Sequence, residues 1–155
     1  GTAFVKNGYV GRTFIKPKQS SRESSVRVKL NVLREAVEGK RVIMIDDSIV
    51  RGTTSDRIVH MLREAGAKEV HMRVSSPPFL WPCYFGTDVP AREQLIAYNR
   101  TVEEIRQVIG ADSLGYLDCS RLRQMAGDLP ICTGCFTGNY PLDPPMEDIR
   151  GEFEQ

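Results

Sequence analysis

The stretch VIMIDDSIVRGTTS, residues 42–55, decides the fold of this chain. Together with Arg41 it begins as RVIMI, in which a continuous apolar run follows the arginine, and its length and β-branched residues are typical of a buried strand. Asp46 and Asp47 follow directly, then a turn of small residues, and then a helical pattern. Ligands of parallel α/β sheets bind at the carboxyl ends of the strands, so the stretch predicts a binding site as well as a strand.

The segment after the turn, TTSDRIVHMLREAGAKEV, predicts an amphipathic helix. Gly66 is placed to end this helix, Thr53 or Thr54 is placed to cap its start, and Asp56 suits its first turn. The next segment, KEVHMRVSS over residues 68–76, alternates as a second strand. Strand, helix and strand in this order predict a right-handed parallel crossover and an α/β fold. The apolar face of the helix comprises Ile58, Val59, Met61, Leu62 and Ala65.

The remaining segments alternate between helical and irregular patterns. Helices are predicted at the end of 26–39, with Gly39 as the stop, and over 91–99, 101–110 and 119–127. A capping box of Thr101 and Glu104 opens the helix over 101–110. Residues 113–118, SLGYLD, predict a short strand or extended piece. The segments predicted to be irregular are 1–16, which includes a short extended piece, the polar stretch around 16–25, the proline-rich loop 77–90, and 129–145.

The composition limits the class of protein further. The 155 residues are 41% hydrophobic and 26% charged, the balance of about one globular domain. A net charge of +1 gives no bulk attraction to nucleic acid or membrane, so any anion binding is local. No apolar run approaches the ~18 residues of a membrane span, and no secretory leader is visible. Four cysteines, without other marks of a secreted scaffold, indicate a reducing cytoplasm.

The turn between strand and helix has the chemistry of a phosphate cradle. Unpaired N–H groups at a helix N-terminus attract anions, Gly52 lets the backbone wrap closely, and Ser48, Thr53 and Thr54 add hydroxyl donors. Carboxylates beside a phosphate suit sugar hydroxyls or Mg²⁺. The pattern therefore predicts a phosphorylated sugar as ligand. It lacks the Gly-Lys-Ser/Thr ending of a Walker loop, and acids that merely cap a loop are the plainer alternative.

These motifs resemble a known family. VIMIDDSIVRGTTS is similar to the phosphoribosyl pyrophosphate (PRPP) motif of type I phosphoribosyltransferases, and DDSIVRGTTS resembles the amidophosphoribosyltransferase family more particularly. Further likeness lies in GYVGRTFIKP upstream, MLREAGAKEVHMRVSSPP downstream, and CFTGNYP near the end. The resemblance implies a parallel sheet flanked by helices, with the first strands of that fold absent. We expect a core over 1–80 and a helical and irregular segment over 81–155.

The resemblance also implies an activity. This family makes 5-phosphoribosylamine from PRPP and glutamine-derived ammonia, in the first step of purine synthesis. Its PRPP loop corresponds to 42–55, and Arg12 and Lys29, which flank a flexible loop of about 10–28, are candidates to neutralise the pyrophosphate. Mg²⁺ is expected at Asp46 and Asp47. The residues implied in PRPP binding are Asp46, Asp47, Ser48, Ile49, Val50, Arg51, Gly52, Thr53 and Thr54.

The cysteines are interpreted in the same way. From spacing alone, the C-x-x-C of Cys132 and Cys135 suits zinc, an iron–sulfur cluster or redox chemistry. Some family members carry a 4Fe–4S cluster, and by resemblance Cys83, Cys132 and Cys135 match three of its ligands. The fourth ligand of the family lies upstream of this chain. Cys119 matches no ligand position and is expected to be a small buried residue.

The implied partners are PRPP, purine nucleotides as feedback inhibitors, and the family's glutaminase portion, which lies outside this chain. A homo-oligomer is expected, with no nucleic acid or membrane partner. Two other classes stay open from the sequence. One is a non-catalytic PRPP- or nucleotide-binding regulator, and the other is a small iron–sulfur protein.

Overall fold

The computed structural model describes residues 2–6, 30–86 and 91–143. Their centre is a three-stranded parallel sheet in the order β3-β4-β5, and β1 and β2 form a separate antiparallel pair. The order of the central sheet, with helices between its strands, is that of an α/β fold. The strands are β1 (Phe4–Lys6), β2 (Leu30–Val32), β3 (Arg41–Asp46), β4 (Glu69–Val74) and β5 (Ser113–Tyr116).

Helices connect and follow these strands in the described residues. A single 3₁₀ turn, Arg92–Gln94, lies between β4 and the next helix. The second helix links the parallel strands β3 and β4, which confirms the predicted crossover. The helices are α1 (Arg34–Val37), α2 (Thr53–Glu64), α3 (Val102–Val108), α4 (Cys119–Ala126) and α5 (Gly134–Thr137).

One face of the parallel sheet is buried under helices. Val70 and Met72 of β4 are fully buried, and Met72 aligns with Met44 of β3 and with Leu114 of β5. The predicted apolar face of α2 packs into the same core, where Leu62 is also fully buried. Burial of such side chains is worth about 1.5–3 kcal/mol each, so this face holds the crossover together.

The other face of the sheet corrects the expectation of a fully buried strand. Ile43 and Ile45 of β3 are 67% and 75% exposed, because the helices of the described residues cover the opposite face. Alternate residues of a strand point to opposite faces, so only every second residue of the apolar run packs against the core here. Polar groups share the open face, and His71 Nδ1 lies 2.9 Å from the Ser113 hydroxyl.

The predicted helix over 91–99 is wrong. Beyond the 3₁₀ turn the chain is extended and then turns, although Leu95, Ile96 and Ala97 are all buried. The backbone N–H of Ile96 donates to the carbonyl of Val50 at 2.8 Å, so it is engaged with the loop after β3 instead of a helix. The helix at 101–110 is confirmed as α3, with both hydrogen bonds of its capping box.

The helix predicted at the end of 26–39 is confirmed as α1, which ends before Gly39, where φ is +69°. Two further expectations change. The start of the chain was expected to be irregular, but Phe4–Lys6 is a strand, and Phe4 aligns with Val32. The irregular tail contains one short helix, α5. Strand pairing across many residues leaves no local trace in the sequence, which explains the first miss.

Residues on both sides of position 80 share the main core, for example Val70 with Ile105. The division at residue 80 stays a prediction. None of the described helices is both long and apolar enough to cross a membrane.

Candidate functional site

The acidic pair lies at the carboxyl edge of the sheet, as predicted. Asp46 is the last residue of β3 and aligns with Val74 of β4. Ser75 donates to the Asp46 carbonyl from both its backbone N–H, at 3.0 Å, and its hydroxyl, at 3.2 Å. The N–H of Asp47 donates to the Asp46 carboxylate at 3.1 Å. These bonds fix the backbone under both acids.

The negative charges of the two neighbouring carboxylates repel each other. The pKa of Asp46 is raised above its ordinary value, first by burial of the carboxyl and then by the negative charge of Asp47, against a lowering by the Asp47 N–H. A cation or hydroxyl donors placed between the carboxylates would relieve both causes. The electrostatics of the pair therefore favour a positively charged or hydroxyl-rich ligand.

The loop after the acids is anchored from beneath by apolar side chains. Ile49 is 2% exposed and belongs to the main core, while Val50 packs against the smaller cluster of Phe79 and Leu95. The side chains of Ile49 and Val50 therefore support the loop, and only their backbone groups are left to meet a ligand. Ser48 donates its hydroxyl to the Asp47 carboxylate at 3.4 Å.

Gly52 begins the helix after the loop, and the expected cap by Thr53 or Thr54 is wrong. Gly52 is the N-cap of α2 with φ +82°, and no side chain caps the helix. A Cβ at Gly52 would lie 2.2 Å from Ile96 Cδ1, so the position requires glycine for space and conformation. The first helical N–H bonded within the turn is that of Asp56, to the Gly52 carbonyl at 2.9 Å. The N–H groups before it have no acceptor within the helix and can bind an anion.

Arg51 Nε donates to the Gln94 side chain at 3.2 Å, so the 3₁₀ turn holds the loop from the side. Together with Ile96 and Ser75, Gln94 is a supporting residue that the sequence did not indicate. Each lies far along the chain from the group it supports, and no spacing pattern would have found it.

The candidate residues for pyrophosphate, Arg12 and Lys29, lie outside the described residues. So does the predicted flexible loop of about 10–28. The described part of the site thus contains the acids and the phosphate turn, and the basic residues stay predictions.

The second predicted site lies where the proline-rich loop after β4 packs against the C-x-x-C segment. The backbone N–H groups of Leu80 and Trp81 both donate to the carbonyl of Cys135, each at 3.0 Å. Cys83 and Cys135 both pack against the cluster that contains Phe79. Two of the three predicted cluster ligands are therefore brought together from distant parts of the sequence.

The other two cysteines lie near this contact. The pKa of Cys135 is raised to about 11, first by burial and then by the charge of Cys83, with smaller effects from Cys132 and Cys119. We call the four free cysteines the cysteine group, since the other three all act electrostatically on Cys135. Cys119 was expected to be a small buried residue, and it is partly buried.

The donors of both sites can be compared with the groups that the resemblance implies. Among the described residues, no three Cys, His, Asp or Glu side chains are gathered as a single bound ion requires. A 4Fe–4S cluster takes each thiolate on a separate iron, and the soft donors of the cysteine group fit it chemically. Mg²⁺ is commonly held by one or two carboxylates and substrate phosphates, so Asp46 and Asp47 fit that ion.

Sheet, acidic pair and amide-lined turn together define a phosphoribosyltransferase-type α/β domain. The amidophosphoribosyltransferase of Archaeoglobus fulgidus is 57% identical over 94% of this chain and 33% of its own length. The Bacillus subtilis amidophosphoribosyltransferase is 56% identical over 90% of this chain and 30% of its own length. The chain belongs to the amidophosphoribosyltransferase family and spans about one third of the length of these relatives.

Solved structures agree with this fold. A structure described as the allosteric regulatory enzyme of purine biosynthesis matches with a TM-score of 0.79 and 53% identity, over 95% of this chain and 33% of that one. Glutamine PRPP amidotransferase from B. subtilis, complexed with ADP and GMP, matches with a TM-score of 0.76 and 54% identity, over 92% of this chain and 33% of that one. No protein-family profile matches the chain.

Proposed function

We propose that this chain is the PRPP-binding and transfer portion of an amidophosphoribosyltransferase. In the proposed reaction, ammonia forms a C–N bond at the anomeric carbon of PRPP, and the bond from that carbon to pyrophosphate breaks. The products are 5-phosphoribosylamine, pyrophosphate and a proton. The observation that carries the proposal is the acidic pair followed by an uncapped helix start, in a chain that is more than half identical to relatives of this name.

The 5-phosphate is assigned to the start of α2. There the N–H groups before Asp56 lack helical acceptors, and the helix dipole favours negative charge. Thr53 and Thr54 are exposed at the same end and can add hydroxyl donors. The absence of a side-chain cap supports this role, because a capping side chain would compete with the phosphate for the same N–H groups.

The ribose hydroxyls are assigned to Asp46 and Asp47, whose carboxylates are acceptors at the lip of the turn. Mg²⁺ bound beside them would neutralise charge on the departing pyrophosphate. Transfer at an anomeric carbon passes through a state with oxocarbenium character, so positioning and charge contribute more than a protein nucleophile. The chain's own task is to hold the sugar by both ends, its phosphate at α2 and its hydroxyls at the acids.

Arg12 and Lys29 are proposed to face the pyrophosphate, and the loop of about 10–28 to close over PRPP. Closure excludes water, which would otherwise hydrolyse the activated sugar. This part of the proposal rests on the family resemblance of the sequence.

Cys83, Cys132 and Cys135 are proposed to bind a 4Fe–4S cluster of structural or oxygen-sensing function. The packing of Cys83 and Cys135 against one apolar cluster and the soft thiolates support this role. Four free cysteines also suit a reducing compartment, which we take to be the cytoplasm.

The proposed partners follow from the same family. A matching structure holds ADP and GMP, which supports purine nucleotides as inhibitors of this chain's parent protein. The glutaminase portion that would release ammonia is expected in the rest of the polypeptide, and a homo-oligomer is expected for the whole. We propose no nucleic acid or membrane partner.

The test uses the complete polypeptide that contains this chain. With Mg²⁺ and ammonium present, the protein should convert PRPP to phosphoribosylamine. The reaction is measured by the release of pyrophosphate or by trapping the amine in a coupled assay. In titration calorimetry, PRPP and ribose 5-phosphate should bind, whereas ribose should not, because the phosphate supplies most of the contacts. Equal binding of ribose and ribose 5-phosphate, or no pyrophosphate release, would exclude the proposal.

A further inference from the structure

The 3₁₀ turn and the two residues after it, 92–96, contact three consecutive residues of the phosphate turn. The N–H of Ile96 donates to the Val50 carbonyl at 2.8 Å, and the Ile96 side chain fills the space beside Gly52. Between these two contacts, the guanidinium of Arg51 donates a hydrogen bond to the same segment. We call 92–96 the support segment, and the function proposed above gives it no part in ligand binding.

The support segment is itself fixed to the loop after β4 by Arg92. The guanidinium carbon of Arg92 lies 3.4 Å from the centroid of the Trp81 ring and 5.1 Å from that of the Tyr98 ring. Its Nε also donates to the Leu80 carbonyl at 3.1 Å. Stacking on aromatic rings together with a hydrogen bond restrains an otherwise flexible side chain. The support segment is therefore held in place independently of the phosphate turn that it contacts.

Gln94 supplies the side chain that receives the hydrogen bond from Arg51. The bond from Arg51 Nε to the Gln94 side-chain oxygen measures 3.2 Å, and Gln94 is exposed. An exposed hydrogen bond adds little to the stability of a fold, because water replaces the lost partner when it breaks. It does fix the position of the guanidinium, and Arg51 directly precedes Gly52, the N-cap of α2. We therefore expect Gln94 to affect the geometry of the turn much more than the stability of the chain.

The geometry of the turn determines how well it binds a phosphate. The N–H groups between Gly52 and Asp56 have no helical acceptor, and no side chain caps this end of α2. Hydrogen bonds weaken steeply when their distance or angle departs from the optimum, and donors held in place in advance bind an anion most strongly. A turn that is free to move would therefore bind the phosphate less tightly, although its donors are the same.

We propose that Gln94 is a positioning residue for the 5-phosphate, which holds Arg51 so that the N–H groups after Gly52 stay directed at the ligand. The inference rests on the proposed function and deepens it, because it assigns part of the affinity for the phosphate to a residue outside the turn. The 5-phosphate takes no part in bond breaking, so it is bound equally before and during transfer. Loss of the hydrogen bond should therefore raise KM for PRPP and leave kcat nearly unchanged.

The test compares Gln94→Met with Gln94→Glu in the complete polypeptide. Methionine keeps the length of the side chain and removes the acceptor, whereas glutamate keeps an acceptor for Arg51. In titration calorimetry Gln94→Met should bind ribose 5-phosphate about three- to tenfold more weakly, and KM for PRPP should rise by the same factor. Gln94→Glu should bind ribose 5-phosphate within about twofold of wild type, because its carboxylate also accepts from the guanidinium. Urea denaturation should give both variants the wild-type stability.

The matched control is Glu93→Met, which changes an exposed neighbour in the same 3₁₀ turn and should leave the affinity for ribose 5-phosphate unchanged. The double variant Arg51→Met, Gln94→Met should lose no more affinity than Arg51→Met alone, because Gln94 acts through Arg51. Wild-type affinity in Gln94→Met, or additive losses in the double variant, would overturn the inference and leave the proposed function intact. If the wild-type protein does not bind ribose 5-phosphate, the proposed function fails and the inference fails with it.

Discussion

The phosphate turn and the cysteine group are assembled in opposite ways. The turn comes from one continuous segment, which runs from the end of β3 into α2 through Gly52. The cysteine group comes from three segments that meet only in the folded chain. A continuous site depends on local conformation and can be recognised from sequence. An assembled site depends on packing, so its members emerge only when the segments are placed.

The largest effect is expected from the acids of the turn. The double variant Asp46→Asn, Asp47→Asn keeps the side-chain shapes but removes both charges, and should lower kcat/KM for PRPP by about a thousandfold. The cause is loss of the negative charge and of one acceptor oxygen in each side chain, which weakens the hydrogen bonds from the ribose hydroxyls and the proposed Mg²⁺ contact. Steady-state assays of the complete polypeptide with ammonium and Mg²⁺ measure it.

Asp128→Asn is the control for this variant, because Asp128 is an exposed acid outside the turn. It should retain wild-type kcat/KM. If the double variant keeps more than about a tenth of the wild-type kcat/KM, the acids have no part in the transfer reaction. Loss of one charge-assisted contact alone should lower the value about tenfold.

The next largest effect is expected from Gly52→Ala. The new Cβ would meet Ile96 Cδ1 at 2.2 Å, and the backbone has φ +82°, so both clash and strain oppose it. We expect a loss of about 2–4 kcal/mol in the free energy of unfolding, measured by urea denaturation.

Gly39→Ala separates the two causes, since Gly39 has φ +69° but open space around its Cβ position. It should cost about 1–2 kcal/mol, from strain alone. Equal losses in the two variants would show that contact between Ile96 and the turn is unimportant, and would weaken the description of the turn as a supported structure.

In the cysteine group, the corresponding variant is Gly134→Ala. Its Cβ would lie 2.3 Å from Tyr140 Cδ1, so the C-x-x-C turn must move from the loop that carries Cys83. We expect a loss of about 1–3 kcal/mol in stability and a lower iron content after reconstitution. Gly127→Ala, where nothing lies within 4 Å, should affect stability alone. Unchanged iron in Gly134→Ala would mean that the packing of these segments does not hold the cluster.

The same contrast explains how much the sequence could predict. The strand, the crossover helix and the position of Asp46 were predicted because apolar periodicity and turn chemistry are local. The sequence placed the cap of α2 on Thr53 or Thr54, whereas Gly52 takes that position because Ile96 leaves no room for a side chain. Ile96 itself was predicted to lie in a helix. Its N–H bonds to Val50 instead, a tertiary contact that overrides local propensity.

The strand β3 shows a second kind of limit. A continuous apolar run predicts burial on both faces, but the described residues bury only one, and Ile45 is 75% exposed. The apolar pattern shows that both faces of the strand are suited to apolar contacts. The described segments provide such contacts on one face only. For Cys119 the limit was different, since a cysteine at a helix start has no local pattern that reveals neighbours on other segments.

The smallest expected effect concerns the stability of the turn and has the opposite sign to the others. Burial and Asp47 raise the pKa of Asp46, so the folded state holds its proton more strongly than the unfolded chain does. Ionised Asp46 therefore costs stability at neutral pH, and the cost disappears as pH falls through the raised pKa toward the ordinary value. Asp46→Asn keeps an acceptor for the Asp47 N–H and should raise the free energy of unfolding at pH 7 by less than about 1 kcal/mol, because the group is partly exposed. Near pH 4 the gain should shrink.

Urea denaturation of wild type and Asp46→Asn at the two pH values measures this difference, and a variant that is less stable at pH 7 would contradict it. Adding PRPP with Mg²⁺ should reverse the order at pH 7, because ligand binding stabilises only the protein that retains its acid. That reversal would show that the Asp46 charge lowers the stability of the ligand-free protein and that ligand binding compensates for this loss. Cys135 of the cysteine group differs, because burial raises the pKa of its thiol to about 11 and keeps it neutral at both pH values. Removing that thiol without iron present should therefore change stability far less with pH.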